Sequence, residues 1–600
     1  MLFDRLKYYM EKRWAFKERG DREIVSSLAK QLCVGKNNAG NDDLFAYEII
    51  AELLVQRGIT SFEEAERFFR PKYEYLHDPY LMNDMEKAVE RILLAIKGGE
   101  KILVYGDYDV DGTSAVALVY SYLERFTSNL DFYIPERYSE GYGVSIKGIN
   151  YAVDNDVKLV ICLDCGIKAH EEILYAKQKG VDFIVCDHHL PSDTLPDAWA
   201  VLDPKRVDSK YPYKELSGCG IGFKLIQAIQ KYKNRPFDEI LNFLDLVAIS
   251  IAADVVPLTG ENRVLAYFGL KVINKCPRVG LEAILSYSKV KHEGNSKLYF
   301  NRELTISDLV FLVGPRINAA GRMESGRKAV ELLKSGNREE VEKIADEINK
   351  NNEERKNLDK IATDEAKDLL KKSADLASKK TTVVYGENWH KGVIGIVASR
   401  LIEEYYKPTI VFTKSNDLIT GSARSVKDFD IYAAIESCSH LLTHFGGHKF
   451  AAGLSLPEKN LEEFKTLFEK KVVESISDTQ MVPEIEIDLE IELGNITPRL
   501  FRILKQFAPF GPENNIPIFC SKRLMDTGFA RTVGSKHLKI SAVSREKSSF
   551  PCECIGFGLA EHYKSICKGS MFDICYQIDE NDFQGKTSLQ LNLKDMKIIN

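Results

Sequence analysis

"YGDYDVDGTSAV", residues 105–116, decides how the first half of the chain is read. The run leading into it, Lys101-Ile102-Leu103-Val104-Tyr105, has the composition of a buried strand. Asp107, Asp109 and Asp111 then follow at alternate positions, ahead of Gly112-Thr113-Ser114. In an extended chain, side chains two apart point to one side. Three carboxylates on one side repel and raise one another's pKa unless something positive sits among them. A metal ion meets that need, so further ligands are expected elsewhere in the chain.

Working outward, apolar strand-like runs alternate with amphipathic helical stretches from about residue 84 to 260. The strands are expected at ILVY (102–105), DFYI (131–134), LVICLD (159–164), FIVCD (183–187) and WAVLD (199–203). Short β runs separated by helices imply a parallel sheet with right-handed crossovers. In such a sheet ligands collect at the carboxyl ends of the strands. Asp107, Asp164 and Asp187 each follow an apolar run, and Asp187 opens Asp187-His188-His189. Asp254 lies inside the apolar run ISIAADVVPL, where an unpaired charge is costly. Mixed Asp and His ligands suit Mn²⁺ or Mg²⁺. Two such ions about 4 Å apart would stabilise in-line attack at phosphorus.

The chain of 600 residues is too long for one core and implies about three or four domains. A formal charge of −6 gives no overall polyanion-binding signature, so a nucleic-acid surface has to be local. Cysteines spread from Cys33 to Cys575 suit a reducing, cytoplasmic setting. Cys162-x-x-Cys165 lacks the second pair a zinc site needs. No run is long and apolar enough to span a bilayer, and the N-terminus lacks a signal-peptide core.

Residues 1–80 read as an accessory helical region, 81–260 as the α/β domain just described and 261–335 as its mainly helical remainder. Residues 336–375, highly charged with apolar residues at helical spacing, predict a connector helix. A second α/β pattern occupies 376–470. Residues 471–600 contain short alternating runs that favour a small β-barrel. The expected fold class is α/β: two α/β lobes joined by a long helix, plus a C-terminal barrel.

GDYDVDG, LDCG, CDHH and AADVVPL together resemble the four motifs of the DHH-family phosphoesterases. With EGYG, GPRINAAGRM and FGGHKFAAGL downstream, the spelling is similar to the single-strand-specific exonucleases of that family. The resemblance implies 5′→3′ degradation of single-stranded DNA to 5′-mononucleotides with two divalent cations, Mn²⁺ or Mg²⁺. It also implies work in recombination and repair alongside a RecQ-like helicase and single-strand-binding protein. Carried over, Asp109 and Asp111 ligate separate metals, Asp107 helps at the first and Asp164 bridges. His188 and Asp254 complete the second site, His189 stands near the scissile phosphate, and Asp187 orients a histidine. LDCG replaces the commoner Asp-Asn-Gly form of the second motif and keeps its carboxylate. The competing reading is another DHH-family phosphodiesterase acting on short oligonucleotides or cyclic dinucleotides.

Candidate substrate contacts follow. PERYSEGYG offers Arg137 and Tyr142 on a glycine-bearing loop. Gly314–Arg322 offers Arg316, Asn318 and Arg322 among small residues, either to hold phosphates or as a tightly packed junction. Gly446, Gly447 and His448 resemble the DHHA1 motif of the second lobe, with Arg424 a similar candidate. Between Ser521 and Phe550, Arg531, Lys536 and Lys539 belong to a basic run with interleaved aromatics, which suits sequence-tolerant single-strand binding. RTVGSKHLKISAV resembles the oligonucleotide-binding (OB) fold that ends such chains.

Overall fold

The structure, a computed structural model, describes residues 11–33, 41–137, 139–293, 298–323, 326–373, 376–544, 550–583 and 586–599. It divides into two compact units. One comprises residues 19–352 with 497–516. The other comprises 1–18, 353–496 and 517–600.

The first element among the described residues of the accessory region is a strand, β1 (Arg13–Phe16), in place of the expected helix. It pairs in parallel with a strand of the C-terminal region and so belongs to the second unit. The Trp14 indole donates to Asp595 at 2.7 Å, anchoring it there. Helices occupy Arg22–Cys33, Asn41–Val55 and Phe62–Phe69, the last opened by a capping box between Ser61 and Glu64.

The expected parallel sheet forms from β2 (Lys101–Gly106), β3 (Leu130–Tyr133), β4 (Val157–Leu163), β5 (Asp182–Cys186) and β6 (Ala200–Leu202). Its order is β3-β2-β4-β5-β6, parallel throughout. Alternate side chains enter opposite cores. Ile102, Val104, Ile161 and Leu163 join one cluster, while Leu103, Tyr105, Val160 and Cys162 join the other. Both faces are therefore covered, which is why these strands read as continuous apolar runs. Each such side chain, fully buried, contributes about 1.5–3 kcal/mol. On one face pack α1 (Val110–Leu123), α2 (Gly218–Tyr232) and α3 (Leu244–Ala253), each rich in small and branched apolar residues. A π-helical turn at Leu309–Val313 leads into α4 (Gly314–Met323). The connector is one unbroken helix, α5 (Arg338–Lys372).

The second unit holds a five-stranded sheet. It contains β7 (Thr382–Tyr385), β8 (Thr409–Ser415), β9 (Leu418–Arg424), β10 (His444–His448) and β11 (Ala451–Leu456), in the order β10-β11-β9-β8-β7. Only β7–β8 is parallel. The α/β reading of this lobe holds, with a sheet that is largely antiparallel: FGGHKFAAGL is an antiparallel hairpin, and its glycines hide the strand alternation. Helix α6 (Ile394–Tyr405) covers one face.

The C-terminal region contains β12 (Glu484–Ile487), β13 (Leu489–Glu490), β14 (Phe519–Asp526), β15 (Arg531–Val533), β16 (His537–Ser544), β17 (Cys552–Gly556), β18 (Met571–Phe583) and β19 (Lys586–Ile599). The last seven of these strands form one sheet, and β14 pairs with both β18 and β16. Residues 497–516 do not stay with it. They pack in the first unit, where Arg263 donates to the carbonyls of Phe507 (2.8 Å) and Ala508 (3.0 Å). Among the described residues no helix is long and apolar enough to cross a membrane.

Candidate metal centre

Strands β2, β4 and β5 each deliver an aspartate at their carboxyl ends. Asp107 follows β2 and is fully buried. Its Oδ1 accepts from the Gly143 amide at 3.3 Å, which ties the EGYG loop to the site. Its Oδ2 has no hydrogen-bond partner. Burial, with Asp109 nearby, pushes Asp107 up to about 8. Asp109 caps α1 through a bond from the Gly112 amide (3.0 Å), and burial and Asp111 raise its pKa too. The chain turns helical after Asp109, so the three aspartates do not stay on one extended face; Asp111 points from the first turn of α1.

Asp111 is held by the amides of Gly218 (2.7 Å) and Cys219 (2.8 Å) at the start of α2 and by the Ser250 hydroxyl on α3 (2.6 Å). Asp164, just beyond β4, adopts a left-handed backbone with φ 60°. Burial, then Asp111 and Asp109, drive its pKa well above the carboxylate range. Asp254 closes the C-terminus of α3, and burial with Asp111 pushes it up to about 8. The next residue, Val255, has φ 57°. A β-branched side chain rarely accepts that conformation, so backbone strain adjoins the site.

His188 stands at the centre. Its Nε2 lies 3.2 Å from Asp164 Oδ1, 3.5 Å from Asp254 Oδ2 and 3.8 Å from Asp111 Oδ2. Neither ring nitrogen makes a hydrogen bond, and burial lowers its pKa, favouring the neutral imidazole that metals bind. Ligand atoms of Asp111, His188 and Asp254 lie within 4.8 Å of one another, as do those of Asp164, His188 and His189. Unbonded buried ligand atoms on Asp107 and His188, and carboxylates crowded together in a buried site, are what a divalent cation would relieve; the residues fit such a group.

Asp187 plays a different part. Its Oδ1 accepts from the His188 amide (2.8 Å) and meets His189 Nδ1 at 2.7 Å, while Oδ2 accepts from the Ile167 amide (2.9 Å). Burial alone would raise its pKa; the bond and charge of His189 outweigh that and hold it down at about 2. The same bond raises His189. His189 Nε2 faces the Tyr142 hydroxyl at 3.2 Å, and that hydroxyl donates to the Asp164 carbonyl at 3.0 Å. Arg137 lies over the Tyr108 ring at 4.8 Å, and its charge acts on Asp107.

Arg316 is turned inward. It donates to the Leu312 carbonyl (2.6 Å), the Tyr287 carbonyl (3.3 Å) and Asn349 (3.2 Å), which assigns it to packing rather than to a phosphate. Asn318 is half-buried on the same helix. The Arg322 side chain lies outside the described residues. The small residues of α4 do allow a close approach, but to the metal loop: a Cβ on Gly321 would stand 2.7 Å from the Tyr108 carbonyl.

In the second unit, His448, Ala451 and Arg424 are successive cross-strand partners, so all three share a face. Gly447 has φ 149°, and a Cβ there would meet the Ala451 carbonyl at 2.4 Å, so only glycine fits. Gly446 beside it and His448 are exposed. On the C-terminal sheet Arg531 and Lys539 are direct partners, two like charges side by side. Lys539 also meets Glu553 at 3.2 Å, and Lys522 meets Glu490 at 2.7 Å, acidic partners that the linear run concealed. Lys536 is exposed on the β15–β16 turn.

A covered parallel sheet whose carboxyl edge gathers aspartates around an Asp-His-His turn defines a metal-dependent phosphoesterase of the DHH type. Comparison with known proteins supports that class. The DHH family, N-terminal domain, matches residues 101–251, the DHHA1 domain 378–474 and the RecJ OB domain 487–595. The single-stranded-DNA-specific exonuclease RecJ of Bacillus subtilis is 33% identical over 98% of this chain and 71% of its own. That of Escherichia coli is 32% identical over 90% of this chain and 94% of its own. The crystal structure of RecJ in complex with Mn²⁺ from Thermus thermophilus covers 98% of this chain and 79% of its own, with TM-score 0.80 and 24% identity. An exonuclease RecJ bound to manganese covers 66% of this chain and 96% of its own, with TM-score 0.56 and 29% identity. The chain belongs to the RecJ family of single-stranded-DNA-specific exonucleases.

Proposed function

We propose that this chain is a divalent-metal-dependent exonuclease that degrades single-stranded DNA from the 5′ end to 5′-mononucleotides, in recombination and repair. The reading is carried by His188 standing unbonded among Asp111, Asp164 and Asp254, in a chain that matches single-strand-specific nucleases almost end to end. Asp107 and Asp109 would hold one ion, Asp111, His188 and Asp254 the other, with Asp164 between them. Two bound Mn²⁺ or Mg²⁺ ions supply an activated water and offset charge at the scissile phosphate. The chain's own residues do the rest. Asp187 fixes the His189 ring through Nδ1 and so aims Nε2 at the Tyr142 hydroxyl. Tyr142 and Arg137 line the site mouth.

Asn318, Arg322, Arg424, the Gly446-Gly447-His448 edge and the Arg531, Lys536 and Lys539 surface are the proposed backbone contacts along the strand. A polyanion lying across Arg531 and Lys539 would gain from both cations, Glu553 offsetting only part of the Lys539 charge. A RecQ-like helicase that frees single strands, and single-strand-binding protein that coats them, are the partners such a substrate calls for. A cytoplasmic setting accords with twelve free cysteines.

The test uses a long single strand labelled at its 5′ end, incubated with Mn²⁺ and either the parent chain or Asp164→Asn. Early release of labelled mononucleotide by the parent, reduced at least about 100-fold in the variant, is expected. Hydrolysis of dinucleotides with no attack on the long strand would overturn the reading.

A further inference from the structure

We propose that Lys205 is a substrate contact, its Nζ donating to a phosphate oxygen of the strand held at the metal centre. The inference rests on the exonuclease reading and adds a residue outside the motifs that carry it. The β5–β6 ladder ends at Cys186 opposite Leu202, and the Asp187 amide still donates to the Leu202 carbonyl at 3.0 Å. The turn from Asp203 to Arg206 therefore leaves the sheet alongside Asp187-His188-His189.

That turn is held firmly. The Lys205 amide donates to Asp203 Oδ1 at 2.6 Å, and Arg206 Nη1 donates to the Val201 carbonyl (2.7 Å) and Asp84 (2.8 Å). The Lys205 side chain is four-fifths buried, with Nζ 3.3 Å from the half-exposed Glu215. Glu215 lies on the segment that enters α2, whose amides grip Asp111. The ion pair thus links the two loops that frame His188 and Asp111. The charge of Lys205 acts on His188, Asp254 and Asp203. Arg137 acts on Asp107 at the other end of the carboxylate row.

A purely structural role accounts poorly for this placement. A pair with a partly exposed glutamate is worth little, roughly 0–1 kcal/mol. A cation beside His188 and Asp254 also opposes metal binding there by like-charge repulsion. Both costs are offset when a phosphate arrives, because lysine then meets an anion as a compact point-charge donor. Lys205 would serve the His188–Asp254 side of the site as Arg137 serves the Asp107 side.

The experiment compares the parent, Lys205→Met, Lys205→Arg and Glu215→Gln in the full chain. It measures Mn²⁺ affinity by calorimetry, melting temperature, and kcat/KM on single-stranded DNA across salt concentrations. Bis(p-nitrophenyl) phosphate serves as a second, DNA-free substrate. Lys205→Met should lower kcat/KM about 10- to 100-fold on both substrates while Mn²⁺ affinity holds or rises. Its log–log salt slope on DNA should flatten by ~0.7, the loss of one phosphate contact to a single strand. Lys205→Arg should recover most of the rate, and Glu215→Gln should keep it. Parent-like kinetics in Lys205→Met would overturn the proposal. So would equal losses in Lys205→Met and Glu215→Gln, or a loss that tracks Mn²⁺ affinity or melting temperature. A parent active on the ester but not on DNA would sink the exonuclease reading while the ester still tests Lys205; inactivity on both would sink both.

Discussion

At the scale of single residues, the metal centre is a balance of burial against missing charge. Asp107 and Asp254 are both pushed up to about 8, against about 3.9 for an aspartate in an unfolded chain. With folded values raised, their stabilising contribution is present below about pH 4 and lost as pH rises through about 8. The metal-free chain should therefore lose melting temperature between about pH 4 and 8. Mn²⁺ binds the deprotonated groups, so its affinity should climb over the same window and flatten above about pH 8. Calorimetry in two buffers of different ionisation enthalpy would detect the released protons; a pH-independent affinity without proton release would contradict this account. Asp187 behaves oppositely: its four donors keep it ionised, which suits a group that orients His189 rather than one that waits for a cation.

At the scale of elements, helix α4 shows why a motif can be seen without being understood. Its small residues suggested either a phosphate contact or a tightly packed junction. The packing reading fits: they bring the helix onto Tyr108, between Asp107 and Asp109, while Arg316 secures the helix to its neighbours. Gly321→Val should therefore cost ~1–3 kcal/mol in urea denaturation, and the shift of the metal loop should lower nuclease activity about 10-fold. Gly336→Ala, at an exposed position with open space around it, is the control expected to change neither. Activity undiminished in a destabilised Gly321→Val chain would separate α4 from the metal loop. The strand β1 teaches a related lesson. Nothing in RWAF distinguishes it from a helix-flanking stretch, because its partner β12 lies far along the chain and only tertiary pairing reveals it.

At the scale of the whole molecule, the chain folds as two units whose sequence segments interleave. Two-state unfolding is not expected of such a chain. Scanning calorimetry should resolve two transitions. Mn²⁺ should raise the one belonging to residues 19–352 and 497–516, by mass action on the folded site, and leave the other in place. A single transition shifted as a whole by Mn²⁺ would show the units to be coupled more tightly than their internal packing implies.

The sequence by itself determined the parallel sheet, since strands covered on both faces must be apolar throughout, and it marked the residues at the carboxyl edge. It also marked the helical stretch of α5 by its charges and spacing, while the structure shows that it is one helix rather than two in series. Tertiary structure alone decided which carboxylates meet His188, because Asp111, Asp164 and Asp254 come from separate elements and only packing sets their distances. It decided that Arg316 faces inward, that Lys205 lies beside the site and that Lys539 has an acidic neighbour. Local pattern records which face of an element is apolar; it does not record which distant element supplies the partner.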